Sequence, residues 1–140
     1  MKFLEPNRVN CSIDLNKEGK QIGYFSIPHS TNKSAWGSLQ IPIVSIKNGR
    51  GKKILMVGGN HGDEYEGPIS LFKLINNLTK NKINGQIILI PSLNFPAVSS
   101  GDRVSPIDGA NMNRIFPGKW DGSLSEVIAD FIYRQILPRV

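Results

Sequence analysis

Two short apolar runs constrain this fold more than any other feature of the chain. The first is ILMVGG, Ile54 to Gly59, and the second is QIILIPSL, Gln86 to Leu93. Neither alternates polar with apolar residues, which is the pattern of a strand covered on both faces. Between them, GPISLFKLINNL sets Ile69 and Phe72, and Leu71, Leu74, Ile75 and Leu78, at helical spacing. Pro68 falls in the first turn, where proline is tolerated. NKING then turns the chain. Strand, helix and strand in this order predict a βαβ unit with parallel strands, and so an α/β class.

The flanks add to this unit. QIGYFSIP, Gln21 to Pro28, and WGSLQIPIVSI, Trp36 to Ile46, predict an antiparallel strand pair joined through the turn residues of HSTNKSA. In the second strand Leu39, Ile41 and Ile43 point one way, and Val44 and Ile46 imply a shift near Pro42. A proline there predicts an edge strand or a bulge. Asn94 to Trp120 has little periodicity, and loops of that length in a compact domain are usually functional or disordered. SLSEVIADFIYRQIL predicts a closing helix. Ser123 and Glu126 have capping-box spacing, Leu124, Val127, Ile128, Phe131 and Ile136 line one face, and Pro138 stops it.

Composition excludes several classes. A chain of 140 residues with 39% hydrophobic and 20% charged residues fits one soluble globular domain. It contains no apolar window long enough to span a membrane as a helix. Glu5 and Pro6 stand where a secretion signal needs its apolar core, so none is expected. Cys11 is the single cysteine, which excludes an internal disulfide and a cysteine-built zinc site and suits a cytoplasmic location. The net charge of +6 is carried by scattered lysines rather than a dense basic run, so no nucleic-acid partner is expected. The excess charge can help draw in a small anionic substrate.

The chemistry gathers in VGGNHGDEYEG, Val57 to Gly67. This is either a metal site at the end of a buried strand or a polar loop that happens to hold acids. In open α/β sheets, ligands sit beyond the carboxyl ends of the strands. The loops after Gly59 and Leu93 share that end, which places His61, Asp63, Glu64 and Glu66 near Arg103, Asp108, Asn113 and Arg114. Zinc accepts imidazole nitrogen and carboxylate oxygen at about 2 Å. His61 and Glu64 can turn to one point if the chain curls, and Gly59 and Gly62 permit the curl. Arg114 offers a fork that grips a carboxylate, Asn113 can add a donor, and Arg103 can polarise a carbonyl. Read alone, each arginine is a surface or loop-bracing ion pair, and Asp108 is a turn residue.

GGNHGDEYEGP, followed by PSLNFPAVSSGDRVSPIDGANMNRIFPG, resembles the succinylglutamate desuccinylase/aspartoacylase family, a branch of the zinc carboxypeptidase-like fold. SAWG, GDEYEG and SPIDG are similar to its N-acetyl-diaminobutyrate deacetylase subgroup, and the likeness runs from Gln21 to Val140. The resemblance implies that residues 1–140 are the incomplete N-terminal portion of a single deacylase catalytic domain. Its sheet would be mixed and mainly parallel, flanked by helices and preceded by the antiparallel pair. The resemblance also implies zinc as cofactor, with His61 and Glu64 as its first two ligands. Arg103 would polarise the carbonyl, and Asn113 and Arg114 would hold the carboxylate of a small anionic N-acyl amino acid during hydrolysis.

Two departures from the family pattern matter. Asn111 stands where many members carry an aspartate, and Asp108 is the carboxylate that could replace it. The family's third zinc ligand, a histidine, and its general-base glutamate have no counterpart here. His29, the other histidine, lies before SAWG and away from the ligand position. The expectation is a chain inactive by itself. The alternative is a truncated, non-catalytic protein that binds a small carboxylate or pairs with a chain supplying the remaining strands. A homo-oligomer stays open, as does the acyl group.

Overall fold

The computed structural model describes residues 3–140. Its strands are β1 (Asn10–Cys11), β2 (Gly19–Pro28), β3 (Ser38–Asn48), β4 (Lys53–Val57) and β5 (Gly85–Ile90), and they form one mixed sheet in the order β1-β2-β3-β5-β4. Helix α1 (Glu66–Asn77) carries the chain from β4 to β5, which run parallel with Lys53 opposite Gln86 and Val57 opposite Ile90. The predicted βαβ unit is present.

The predicted hairpin is also present, but it does not stand ahead of the sheet. β2 and β3 pair antiparallel from Gly19↔Lys47 to Pro28↔Ser38, and β3 then pairs antiparallel with β5 from Val44↔Leu89 to Asn48↔Gly85. The sheet is therefore mixed, with β4–β5 its one parallel pairing among the described residues; "mainly parallel" is corrected. The Pro42 expectation needs correction too. β3 is interior and its register has no bulge. Pro42 lies ahead of the β5 pairing, where among the described residues only β2 is beside it, so its absent N–H breaks no ladder bond on the β5 side.

The apparent shift at Val44 has another cause. Ile41 and Ile43 face a core shared with Phe25, Ile27, Ile88 and Ile90 and with the closing helix, while Val44 and Ile46 face a second core beneath α1 with Leu71, Ile75 and Leu89. β3 keeps its alternation and is covered on both faces. The closing helix α3 (Leu124–Phe131) starts with a complete capping box, in which Ser123 accepts from the Glu126 N–H and Glu126 from the Ser123 N–H. Val127, Ile128, Phe131 and Ile136 are buried as predicted, and Leu124 packs at the margin. Pro138 does not end this helix. The α-turns widen at Ile132–Ile136, which keeps both Ile132 and Ile136 in the core, and tighten at Leu137–Arg139.

β5 is buried along its length, but β4 is not. Ile54 is 49% exposed, and Met56 and Val57 are also open to solvent, so the reading of β4 as covered on both faces is corrected. β4 is the outermost strand, and α1 turns Leu71 and Ile75 toward β3 and β5 while Ile69 and Phe72 stay exposed. The long segment after β5 is ordered. It holds a short helix, α2 (Phe95–Ser100), and a tight turn at Met112–Arg114 anchored by the fully buried Met112. Among the described residues no helix is long and apolar enough to cross a membrane.

Candidate active site

The loops after β4 and β5 meet at the carboxyl ends of the parallel strands. Leu93 N–H donates to the Gly58 carbonyl and Asn94 N–H to the Gly59 carbonyl, both at 2.9 Å. Gly62 N–H donates to the Asp102 carbonyl at 2.8 Å. The two predicted glycines serve different ends. Gly59 has φ +69°, the left-handed conformation that favours glycine. Gly62 is pressed so closely on α2 that a Cβ there would sit 1.8 Å from the Ala97 carbonyl oxygen.

This curl brings His61 and Glu64 together. His61 is 2% exposed, and its Nδ1 lies 2.9 Å from Glu64 Oε1. Its Nε2 lies 3.1 Å from Asn111 Oδ1. That Asn111 oxygen also accepts the Asn113 N–H at 3.1 Å, so the amide presents oxygen and Nε2 must carry the proton. Nδ1 then faces a carboxylate oxygen. Two lone pairs oppose each other there unless a second proton or a cation lies between them. A histidine whose far N–H is held by a carbonyl oxygen, with its near nitrogen beside a carboxylate, offers a pair of donors that could share a metal ion. The pair stands alone: among the described residues no three His, Cys, Asp or Glu side chains are gathered to hold a metal ion.

Arg103 joins the same point. Its Nη1 donates to Glu64 Oε1 at 3.1 Å and lies 3.9 Å from Asp63. Contact with His61, whose Nδ1 donates when both ring nitrogens carry protons, and then the hydrogen bond from Arg103 hold the Glu64 carboxyl below the usual carboxylate range. Asn113 is also drawn in, accepting at Oδ1 from Asn60 Nδ2 at 2.7 Å. Arg114 is exposed on the same turn, and its guanidinium makes no hydrogen bond or ion pair among the described residues. A cavity of about 340 Å³ opens beside Asn60, Glu64, Glu66 and Gly67. A larger one, about 420 Å³, lies at the opposite ends of β4 and β5, lined by Glu18, Lys47, Arg50 and Lys53, and holds none of this chemistry.

Asp108 is not at the site. It accepts from Ser125 N–H at 2.7 Å, Ser125 Oγ–H at 2.9 Å and Ala110 N–H at 3.2 Å, and so braces the start of α3. Burial pushes its carboxyl up, but these hydrogen bonds, with one from Ser123, outweigh it and hold the group below its ordinary value. Asp108 therefore does not replace the aspartate absent at 111; Asn111 itself meets His61. Sequence reasoning missed Asn60 and Asn94. The available signal was that both strand-end runs, VGGN and PSLN, finish in asparagine.

The chain is similar to several known proteins. It is 44% identical over 133 residues to N-alpha-acetyl-L-2,4-diaminobutyric acid deacetylase of Halomonas elongata, covering 95% of this chain and 39% of that one. It superposes with a TM-score of 0.93 and 44% identity on the product-bound ectoine utilization protein EutE (DoeB) of Ruegeria pomeroyi, over 96% of this chain and 41% of that one. A succinylglutamate desuccinylase from Silicibacter sp. gives a TM-score of 0.94 at 43% identity, over 96% and 41%. The chain thus spans about two fifths of the length of the curated relative it matches. Residues 50–140 match the succinylglutamate desuccinylase/aspartoacylase catalytic domain, and the chain belongs to that family.

Proposed function

We propose that this chain is the N-terminal portion of the catalytic domain of a zinc-dependent deacylase that hydrolyses a short-chain N-acyl amino acid. The observation that carries the reading is the placement of His61 Nδ1 and Glu64 Oε1 at 2.9 Å, with the far ring N–H held by Asn111. His61 and Glu64 would hold the zinc, which when bound supplies an activated water for attack on the amide carbonyl. Asn111 keeps the His61 ring in the required tautomer and orientation. Arg103, already on Glu64, would meet the carbonyl oxygen as negative charge develops on it. Asn113 and Arg114 would grip the substrate carboxylate and fix its orientation. Two ligands are one short of the three a catalytic zinc needs, so the chain by itself is inactive on this reading. A cytoplasmic location accompanies it.

Zinc titration tests the donor pair. Weak binding is expected, lowered further in His61→Ala and Glu64→Ala; binding unaffected by either substitution would return the loop to a merely polar one. Tight stoichiometric zinc on the monomer would mean a different ligand set.

A second reading draws on the exposed edge of β4. In it the chain is non-catalytic, and binds a small carboxylate or pairs with a chain that supplies further strands. The intact mass of the native product separates the two. A mass well above 15.5 kDa supports the deacylase portion, and a mass of 15.5 kDa the second reading.

A further inference from the structure

We propose that Asn60 is a positioning residue that decides which end of the Asn113 amide faces the substrate. The inference rests on the reading of Asn113 as a carboxylate contact and names the residue behind it. Asn113 is held twice. Its backbone N–H is taken by Asn111 Oδ1 at 3.1 Å, and its side-chain oxygen by Asn60 Nδ2 at 2.7 Å. What remains free is the Nδ2 group, which only donates. Arg114 next to it also only donates, and a carboxylate only accepts. Turned over, Asn113 would present its oxygen to the substrate's oxygens instead.

Asn60 is itself fixed from behind. Its backbone carbonyl accepts from the side chain of Asn94 at 3.4 Å, and Asn94 is fully buried where β5 gives way to α2. The same Asn60–Asn113 hydrogen bond could form with both amides reversed. Asn60 Oδ1 is buried and unpartnered as it stands, so reversal would bury an unpartnered amide nitrogen with two protons in its place. Buried N–H groups are left orphaned less often than carbonyl oxygens, so the present orientation is the favoured one.

Two measurements on the full 140-residue chain test this. The first needs no substitution at 60. In spectra of the 15N-labelled chain, the Asn60 side-chain amide should be the one protected from solvent exchange, and Asn113→Ala should abolish the protection. Protection of the Asn113 amide instead would overturn the proposal, whatever the chain binds. The second compares N-acetylglycine with N-acetylglycinamide by NMR titration. Asn60→Ala should lower affinity for the carboxylate about tenfold and leave the carboxamide unchanged, and Asn60→Ala/Asn113→Ala should be no worse than Asn113→Ala. Equal loss for both ligands, or additive losses, would overturn it. A wild-type chain that does not prefer the carboxylate would sink the role of Asn113, while the exchange result still decides that of Asn60.

Discussion

β4 and β5 are neighbours, run parallel and are written in nearly the same alphabet, yet one is buried and the other is not. β5 has β3 on one side and β4 on the other, with α3 over one face and α1 over the opposite one. Among the described residues β4 has a single neighbour, and its outer apolar residues meet solvent. An apolar run reports what a strand needs around it. Whether that cover arrives depends on the strand's place in the sheet.

The widest separation between the two strands should come from one substitution made in each. Ile88→Ala should cost about 2–5 kcal/mol in urea unfolding, because the side chain is fully buried. Ile54→Ala should cost about 1 kcal/mol at most, since only strand propensity and partial packing are lost. Equal costs would break the comparison and mean that β4 is covered in solution.

Gly62→Ala sharpens it next. The loop after β4 is pressed on α2, so even a methyl group must push the chain aside, at about 1–3 kcal/mol by thermal or urea unfolding. A neutral result would show that the loop shares the openness of β4.

The smallest effect concerns the cover of β5. Asp108→Ala removes the brace at the start of α3 and should cost about 1 kcal/mol at neutral pH. Its carboxyl is held below its ordinary value, so this contribution is fully present above about pH 4, the unfolded value. It is lost as pH falls through the lower folded value. Wild type and variant should therefore converge only in acid; convergence near neutrality would contradict the assignment.

The order of elements was legible because periodicity reports directly on helices and strands. The βαβ unit is legible for that reason, and the capping box at Ser123 from the three-residue spacing to Glu126. The exposure of β4 was not legible, since four apolar residues in a row carry no information about their neighbours. Pro42 misled because "edge" proved to be a property of half a strand. At the candidate site, His61 and Glu64 could be paired from spacing, but the partners of Asn60, Asn111 and Asp108 could not. A short amide or carboxylate takes whichever donor or acceptor the folded loops bring to it. That depends on how the segment after β5 crosses the strand ends.

The backbone bonds from Leu93, Asn94 and Gly62 make the His61 loop an extension of the sheet. Its conformational entropy is therefore surrendered when the chain folds, alongside that of β5. On the proposed function, an incoming ion or substrate would meet a loop already ordered, and its binding energy would be free to act on the ligand rather than on arranging the protein. The amide proton of Gly62 should accordingly exchange with solvent as slowly as those of the neighbouring core, despite its place in a loop.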